Sequence, residues 1–269
     1  MDDYSRLKAL IAKMSGVVVA YSGGVDSTLL AKAATDALGK TRAMCVLIDS
    51  CLVPKVEIEE AVTRARELGL NLTRLHVDVL AVDGVAENEP DRCYHCKKAL
   101  FSKMTEIAHE HGLPYVLDGS NIDDDADYRP GSKALAELAV RSPFKELEFT
   151  KDQVREISRK LGLPTWNKPS FACLASRVPY GTPLTEEALE MIESAENVLR
   201  ELGFSQFRVR HHGNLARIEI PPEDMDRLNV PATRKHIVDA FEKLGYAYIT
   251  LDLAGYRMGS FNKMLHTES

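Results

Sequence analysis

The chain has 269 residues and a formal net charge of −6. That length is enough for one large domain or two smaller ones, and the acidic balance argues against broad, non-specific binding of nucleic acid. No apolar run approaches the roughly 18 residues that a membrane-spanning helix needs, and the start, MDDYSRLKAL, lacks the basic and then apolar layout of a signal peptide. We therefore expect a soluble cytoplasmic protein without a membrane partner.

Short apolar runs alternate with helical patterns over the first half of the chain. The predicted strands are Val17–Tyr21, Ala43–Asp49, Leu72–Val79 and Tyr115–Asn121, and the predicted helices are Ser27–Leu38, Lys55–Leu68 and Lys97–His111. Each of these helices is followed by a glycine, as is common at helix ends. The alternation predicts an α/β fold with a parallel sheet and helices on both faces.

The pattern changes in the second half. Thr150 and Gln153 form a capping box that predicts a helix ending at Leu161. Residues 163–183 are rich in proline, serine and glycine, and loops of this length are usually functional or disordered. Beyond them we predict two helices and three short strands: Glu186–Leu202, the two strands of FRVRHHGNLARIEI, Thr233–Leu244 and YAYITLDL. The sequence thus predicts one domain over residues 1–183 and a small α+β domain over residues 184–269.

The turn between the first strand and the first of these helices is built for an anion. The chain there reads YSGGVDS, and Gly23 and Gly24 leave main-chain N–H groups open at a helix N-terminus. Ser22 and Ser27 can add hydroxyl donors. Asp26 would repel a phosphate unless a cation such as Mg²⁺ lies between them. The alternative is an ordinary strand–helix turn in which serine and aspartate act as caps.

Cys93 and Cys96 form a C-x-x-C pair, and Cys173 lies in the long loop. One such pair is an incomplete metal site or a redox pair. Three thiolates are what a 4Fe–4S cluster needs when one iron stays open. Lys168 and Arg177 are close to Cys173 in sequence, and positive charges of this kind would favour its thiolate. Whether Cys173 reaches the pair does not follow from spacing.

Five segments, taken in order, resemble the LarE family of ATP-dependent sulfur transferases. They are YSGGVDS, RCYHCKKALF, VLDGSN with DDADYRPG, KDQVREISRKLGLPTWNKPSFACLASRVPYG, and FRVRHHGNLARIEI. The first alone is the PP-loop shared by ATP pyrophosphatases, whereas the fourth and fifth are more particular to LarE. The resemblance implies an adenine-nucleotide α-hydrolase-like sheet, ATP and Mg²⁺ as ligands, and a hexameric homo-oligomer.

The resemblance also implies a reaction. ATP adenylates the carboxylates of a pyridinium dicarboxylate mononucleotide, pyrophosphate leaves, and sulfur replaces the activated oxygen. In one branch of the family the cysteine that Cys173 matches is sacrificed as the donor. In the other branch three cysteines hold a 4Fe–4S cluster, and Cys93 and Cys96 place this sequence there. The native source of sulfide does not follow from the sequence.

Arg208, Arg210 and Glu196 match positions of the family. Arg208 and Arg210 alternate on one face of a predicted strand, where forked guanidinium groups suit a nucleotide phosphate. The alternative is a pair of solvated arginines on an edge strand. Glu196 matches an active-site glutamate, and the alternative is a solvated residue on the helix face. Arg177 is a candidate to hold phosphate or a substrate carboxylate.

Asn121, Asp123 and Trp166 each have two possible interpretations. Asn121 and Asp123 follow the fourth strand, where they could contact ATP or Mg²⁺ or belong to a solvated acidic loop. Trp166 could pack the long loop or stack on a pyridinium ring. His211 and His212 receive no role.

Three other classes of function compete with sulfur transfer to a mononucleotide. A PP-loop tRNA thiolase would need a basic groove, which the charge of −6 disfavours. A PP-loop amide synthetase would leave the cysteines incidental. A non-enzymatic sensor would bind ATP without releasing pyrophosphate.

Overall fold

The structure, a computed structural model, describes residues 2–126, 131–169 and 172–257. Residues 127–130 and 170–171, which belong to two of the motifs above, lie outside the described residues. The chain folds into two compact units. Unit 1 comprises residues 1–85 and 91–171, and unit 2 comprises residues 86–90 and 172–269.

Unit 1 is a parallel sheet covered by helices. Its helices are Asp3–Ile11 (α1), Val25–Leu38 (α2), Lys55–Glu67 (α3), Arg92–Glu110 (α4), Gly131–Glu137 (α5), Pro143–Glu146 (α6) and Lys151–Lys160 (α7). Its strands are Val17–Ala20 (β1), Ala43–Asp49 (β2), Leu72–His76 (β3) and Tyr115–Leu117 (β4), in the order β3-β2-β1-β4. All neighbouring strands pair in parallel, which confirms the predicted α/β fold.

Both faces of this sheet are buried, as the unbroken apolar strands predict. Val17 and Val19 of β1 point into a core shared with α1, α2, α3 and α7, whereas Val18 packs against α4 on the opposite face. Cys45 of β2 is fully buried, and burial raises the pKa of its thiol to about 12. It is a core residue.

Local signals account for most helix ends. The capping box of α7 is formed, with Thr150 accepting from the Gln153 amide at 3.2 Å. α4 begins at Arg92 and not at the predicted Lys97. Asp91, at the N-cap, is a residue type preferred there, although its side chain makes no cap hydrogen bond. Within the described residues, no helix is long and apolar enough to cross a membrane.

Unit 2 is a small α+β unit. Its elements are Glu186–Glu201 (α8), Arg208–His212 (β5), Leu215–Glu219 (β6), Met225–Asn229 (α9), Pro231–Lys243 (α10) and Tyr248–Leu251 (β7). β5 and β6 form the predicted antiparallel hairpin, in which Arg208 lies opposite Glu219. β7 pairs with β6 in parallel. The core lies between this sheet and helices α8 and α10.

The division between the units lies before residue 172, whereas the sequence predicts a boundary after Pro183. The loop of residues 172–183 joins unit 2 because its polar groups bond there. Asn88, which is fully buried with a φ of 59°, donates through its side-chain amide to Pro179 O at 2.8 Å and Thr182 O at 2.9 Å. Residues 86–90 thereby become part of unit 2, directly before the helix that carries Cys93 and Cys96.

Candidate functional site

The PP-loop lies between β1 and α2 in unit 1. Gly23 has a φ of +69°, and a Cβ at this position would lie 2.6 Å from the Cβ of Ala61. Both observations explain why glycine is needed there. No described side chain caps the 14-residue helix α2, whose N-cap is Gly24. Main-chain N–H groups and the positive end of the helix dipole therefore face the loop, an arrangement that suits an anion.

Contacts from the loop itself and from α3 fix this loop. The hydroxyl oxygens of Ser22 and Ser27 are 3.0 Å apart, and Ser22 N donates to Ser27 Oγ at 3.1 Å. From α3, Arg64 donates to the carbonyl oxygen of Gly23 at 3.0 Å. The predicted loop residues thus share one preorganised turn.

Asp26, in the first turn of α2, meets the segment after β4. Its Oδ1 accepts from Asn121 Nδ2 at 3.2 Å, and its Oδ2 accepts from Lys151 Nζ. Because Asn121 is buried and contacts Asp26, it belongs to the surroundings of the PP-loop and not to a solvated acidic loop. The Oδ2 of Asp123 accepts from Lys151 N at 2.7 Å. The sequence did not single out Lys151, because a contact across 125 residues leaves no local signal.

The C-x-x-C pair occupies the first turn of α4. Cys93 and Cys96 are both half-buried and stand at i and i+3, so their thiols share one face of the helix. Buried Arg92 donates to Cys93 Sγ at 3.7 Å. His95 points elsewhere, with its Nε2 3.2 Å from Asp91 Oδ2.

Unit 2 holds a buried ion pair between two of the predicted site residues. Arg177 donates to Glu196 through Nε at 2.8 Å and Nη2 at 3.0 Å, and both side chains are almost completely buried. Glu196 also accepts from Val209 N at 3.1 Å. The remaining nitrogen, Nη1, donates to the carbonyl oxygens of Ala172 at 2.7 Å and Cys173 at 3.1 Å. Arg177 thus fixes the backbone that carries Cys173, whose side chain is exposed.

Arg208 and Arg210 are also buried, at 6% and 5% exposure, so they are not solvated edge residues. Arg210 donates to Glu219 Oε2 at 2.7 Å and to Ser176 O at 2.6 Å. Burial, and next the positive charge of Arg177, lower the pKa of Arg208 below its ordinary value.

The buried guanidinium groups of Arg177, Arg208 and Arg210 lie in unit 2 together with the buried carboxylates of Glu196 and Glu219. Arg217, whose side chain is 30% exposed, also donates to Glu219 at 3.2 Å. Guanidinium groups of this kind are suited to bind a phosphate through paired donors. The sequence missed Glu219, since an isolated glutamate at the end of a strand is ordinarily solvated.

The surroundings of the remaining residues are also defined. Lys168 pairs with Glu57 at 2.7 Å and Glu60 at 3.0 Å on α3. The ammonium that we expected to favour the thiolate of Cys173 is therefore paired with two carboxylates. Trp166 is 41% exposed. His211 is buried, with its Nδ1 3.2 Å from Tyr246 OH. Across residues 2–126, 131–169 and 172–257, no group of three or more His, Cys, Asp or Glu side chains lies close enough to hold a metal ion.

A parallel sheet with helices on both faces and a Ser-Gly-Gly loop opening α2 define a PP-loop protein of the ATP-utilising α/β class. In agreement, residues 5–95 match the family model of NAD synthase. The chain is 40% identical to the pyridinium-3,5-bisthiocarboxylic acid mononucleotide synthase of Lactiplantibacillus plantarum, over 96% of this chain and 93% of that protein. The chain belongs to the family of that synthase, the LarE family.

Two other relatives show how far the likeness extends. An uncharacterized protein of Synechocystis is 41% identical over 96% of this chain and 96% of its own length. A glutamine-hydrolyzing GMP synthase of Aeropyrum pernix is 31% identical over 68% of this chain and only 39% of its own length. The likeness to LarE therefore spans both units, and the chain is an enzyme of that family.

Proposed function

We propose that the protein is an ATP-dependent sulfur transferase acting on pyridinium-3,5-biscarboxylic acid mononucleotide in the cytoplasm. It adenylates the two carboxylates of this substrate with release of pyrophosphate and converts each to a thiocarboxylate. The observation that carries the proposal is the presence, in one chain, of a PP-loop and of a cluster of buried arginines. The name of the Lactiplantibacillus relative supports the same substrate class.

Unit 1 supplies the activation step. The N–H groups beside Gly23 and Gly24 bind the phosphates of ATP, and Ser22 and Ser27 hold the turn in shape. A substrate carboxylate oxygen forms a bond to the α-phosphorus, and the bond from that phosphorus to the bridging oxygen breaks. Pyrophosphate leaves with the electron pair. The product is an acyl adenylate, in which AMP is the leaving group that a free carboxylate lacks.

Asp26 fits a magnesium ion, because a carboxylate oxygen at the mouth of a phosphate site is a hard ligand of the kind Mg²⁺ prefers. Bound Mg²⁺ would neutralise phosphate charge at this position.

Unit 2 holds the substrate phosphate. Arg208 and Arg210 bind it with forked donors. Glu196 orients Arg177, and Arg177 positions the backbone of Cys173. Through these contacts the phosphate cluster and the loop carrying Cys173 form one rigid arrangement within unit 2.

We propose that Cys93, Cys96 and Cys173 hold a 4Fe–4S cluster, as in the second branch of the family. Among the described residues these thiols are not grouped closely enough to bind a metal, so the cluster would form only once the three come together. Two of these donors already share a face of α4, and the guanidinium of Arg92 stabilises negative charge on Cys93. Cys173 supplies an exposed third thiol. A cluster bound by three thiolates has one open iron, which is the position that would carry an additional sulfide.

The other branch of the family remains the second candidate, because the exposure of Cys173 equally suits a sacrificial donor. In that case its Sγ displaces AMP to form a thioester. Loss of the Cα proton then breaks the Cβ–Sγ bond, so the thiocarboxylate leaves and dehydroalanine remains. Each chain would act once.

Anaerobic purification with iron and acid-labile sulfide analysis tests the sulfur source. We expect about four irons per chain in the wild type, loss of iron in Cys173→Ala, and unchanged iron in the control Cys51→Ala. Iron-free protein whose Cys173 loses the mass of H₂S during turnover would replace the cluster by the sacrificial route.

Pyrophosphate release with the dicarboxylate mononucleotide tests the overall proposal. Absence of pyrophosphate would overturn it. If the enzyme releases pyrophosphate but forms no thiocarboxylate, and alanine variants at Cys93, Cys96 and Cys173 keep the full rate of product formation, the enzyme is a PP-loop amide synthetase and sulfur transfer is excluded.

A further inference from the structure

Arg64, on α3, contacts the back of the PP-loop. Its Nη1 donates to the carbonyl oxygen of Gly23 at 3.0 Å, although the two residues are 41 positions apart in the sequence. The side chain of Arg64 is only 15% exposed. Ala61 brings the same helix against the loop, because a Cβ on Gly23 would lie 2.6 Å from the Cβ of Ala61. Helix α3 is therefore the wall on which the loop packs, and Arg64 is the polar contact of that wall.

The hydrogen bond from Arg64 fixes the direction of one peptide group. The peptide between Gly23 and Gly24 is trans, so its C=O and its N–H point in opposite directions. Since Arg64 holds the carbonyl on the side of α3, the N–H of Gly24 faces the other side, where it makes only a long hydrogen bond of 3.4 Å to Ser22 Oγ. Glycine on both sides leaves this peptide free to rotate, because neither residue has a Cβ that restricts its dihedral angles. A contact from outside the loop is what holds it.

The charge of Arg64 is balanced without occupying the nitrogen that bonds Gly23. Its Nη2 lies 3.7 Å from Glu60 Oε2, which is too far for a good hydrogen bond. Glu60 is 46% exposed and also pairs with Lys168 at 3.0 Å, so its attraction for Arg64 is screened and shared. The strongest contact of Arg64 is therefore the one to the loop carbonyl.

We propose that Arg64 is a positioning residue of the PP-loop, which holds the peptide between Gly23 and Gly24 with its N–H directed at the phosphates of the nucleotide. This inference rests on the proposed function and deepens it. Arg64 acts through the carbonyl oxygen of Gly23 and not by contact with the phosphates. Because the peptide is oriented before the ligand arrives, binding does not have to order a glycine pair. A charged donor on the carbonyl also polarises the N–H of the same peptide, which strengthens its hydrogen bond to an anion.

Binding of two phosphate probes tests the inference without any organic substrate. The probes are α,β-methylene-ATP and inorganic pyrophosphate, each with magnesium, measured by calorimetry on the full chain. We expect Arg64→Met to weaken the binding of both probes by about 10-fold, since both use the amide of Gly24. Arg64→Lys keeps a charged donor for the carbonyl and is expected to retain most of the affinity. Arg66→Met removes an exposed arginine of the same helix and is expected to match the wild type.

A double-mutant cycle separates positioning from a merely structural contact. If Arg64 acts through the peptide that follows Gly23, adding Arg64→Met to Gly23→Ala weakens binding much less than Arg64→Met does in the wild type. If Arg64 only stabilises α3, the two losses multiply. Thermal unfolding of each variant shows that it is folded, and Arg64→Gln, whose side chain is too short to reach the carbonyl, repeats both comparisons if Arg64→Met is not.

Two results would overturn the inference. One is binding of both probes by Arg64→Met or Arg64→Gln as tight as that of Arg66→Met. The other is a pair of losses that multiply in the double variant. A wild type that binds both probes but releases no pyrophosphate with the dicarboxylate mononucleotide would overturn only the proposed function, and a wild type that binds neither probe would overturn both.

Discussion

Replacing Glu196 with alanine is expected to destabilise unit 2 by about 3–5 kcal/mol, because the change leaves the guanidinium of Arg177 buried without its carboxylate. The two side chains are 2% and 0% exposed, so water does not screen the loss. Exposed ion pairs, in contrast, contribute about 0–1 kcal/mol.

The hydrogen bonds of Glu196 give the same magnitude. Its two oxygens accept at 2.8 Å and 3.0 Å from Arg177 and at 3.1 Å from Val209 N. Buried donors that lose their acceptor cost about 1–3 kcal/mol each, and more when they are charged. Glu196→Gln keeps the shape but places an NH₂ group against a guanidinium N–H, so we expect it to lose more than half of the alanine effect.

Urea unfolding followed by circular dichroism measures the change, and hydrogen exchange of β5 amides assigns it to unit 2. Glu201→Ala, at an exposed position of the same helix, is the control and is expected within about 0.5 kcal/mol of the wild type. The double variant Arg177→Met with Glu196→Leu removes both charges and is expected to be more stable than Glu196→Ala. A double variant no better than the single one would show that an unpaired buried charge is not the cause.

Two further outcomes follow from local geometry. Gly23→Ala is expected to weaken ATP binding about 10-fold or more without unfolding the chain. The left-handed backbone at this position costs an alanine about 1–2 kcal/mol, and the new Cβ would lie 2.6 Å from the Cβ of Ala61. Gly112→Ala, at a φ of +64° with open space around it, should leave ATP affinity unchanged, and equal affinities of the two variants would contradict this account. Burial lowers the pKa of His211 below its ordinary 6.5, so its contribution to stability is fully present above pH 6.5 and declines as pH falls toward the depressed folded-state pKa. Between pH 7.5 and pH 5.5, the free energy of unfolding should therefore decrease less in His211→Asn than in the exposed control His236→Asn. Equal decreases in the two variants would refute this expectation.

Periodicity predicted the sheet of unit 1 and the hairpin of unit 2, because burial of both strand faces and a Gly213–Asn214 turn leave strong local patterns. α4 shows the limit of this approach. It begins five residues before the predicted start, at Arg92 in place of Lys97. Asp91, at the N-cap, is a residue type that marks helix starts, but apolar periodicity alone did not extend the helix to it, and its side chain makes no cap hydrogen bond in the structure.

The candidate site residues also divide into those that a local sequence pattern reveals and those that depend on tertiary contacts. Ser22, Gly23 and Gly24 are recognisable because main-chain anion binding requires a local pattern of small residues. Lys151 and Glu219 were missed because what matters for each is a partner brought near by the fold. Arg208 and Arg210 were singled out, but their burial, which excludes a solvated edge strand, is a property of tertiary packing.

The short segment of residues 86–90 has a consequence for how this chain can be altered by recombination. It interrupts unit 1 in the sequence yet folds with unit 2, held through Asn88. A gene fusion joined at residue 172 would transfer α8 and β5–β7 without the amide that organises their entry loop. A chimaera joined there should therefore be less stable than one whose first unit supplies an asparagine at the position of Asn88.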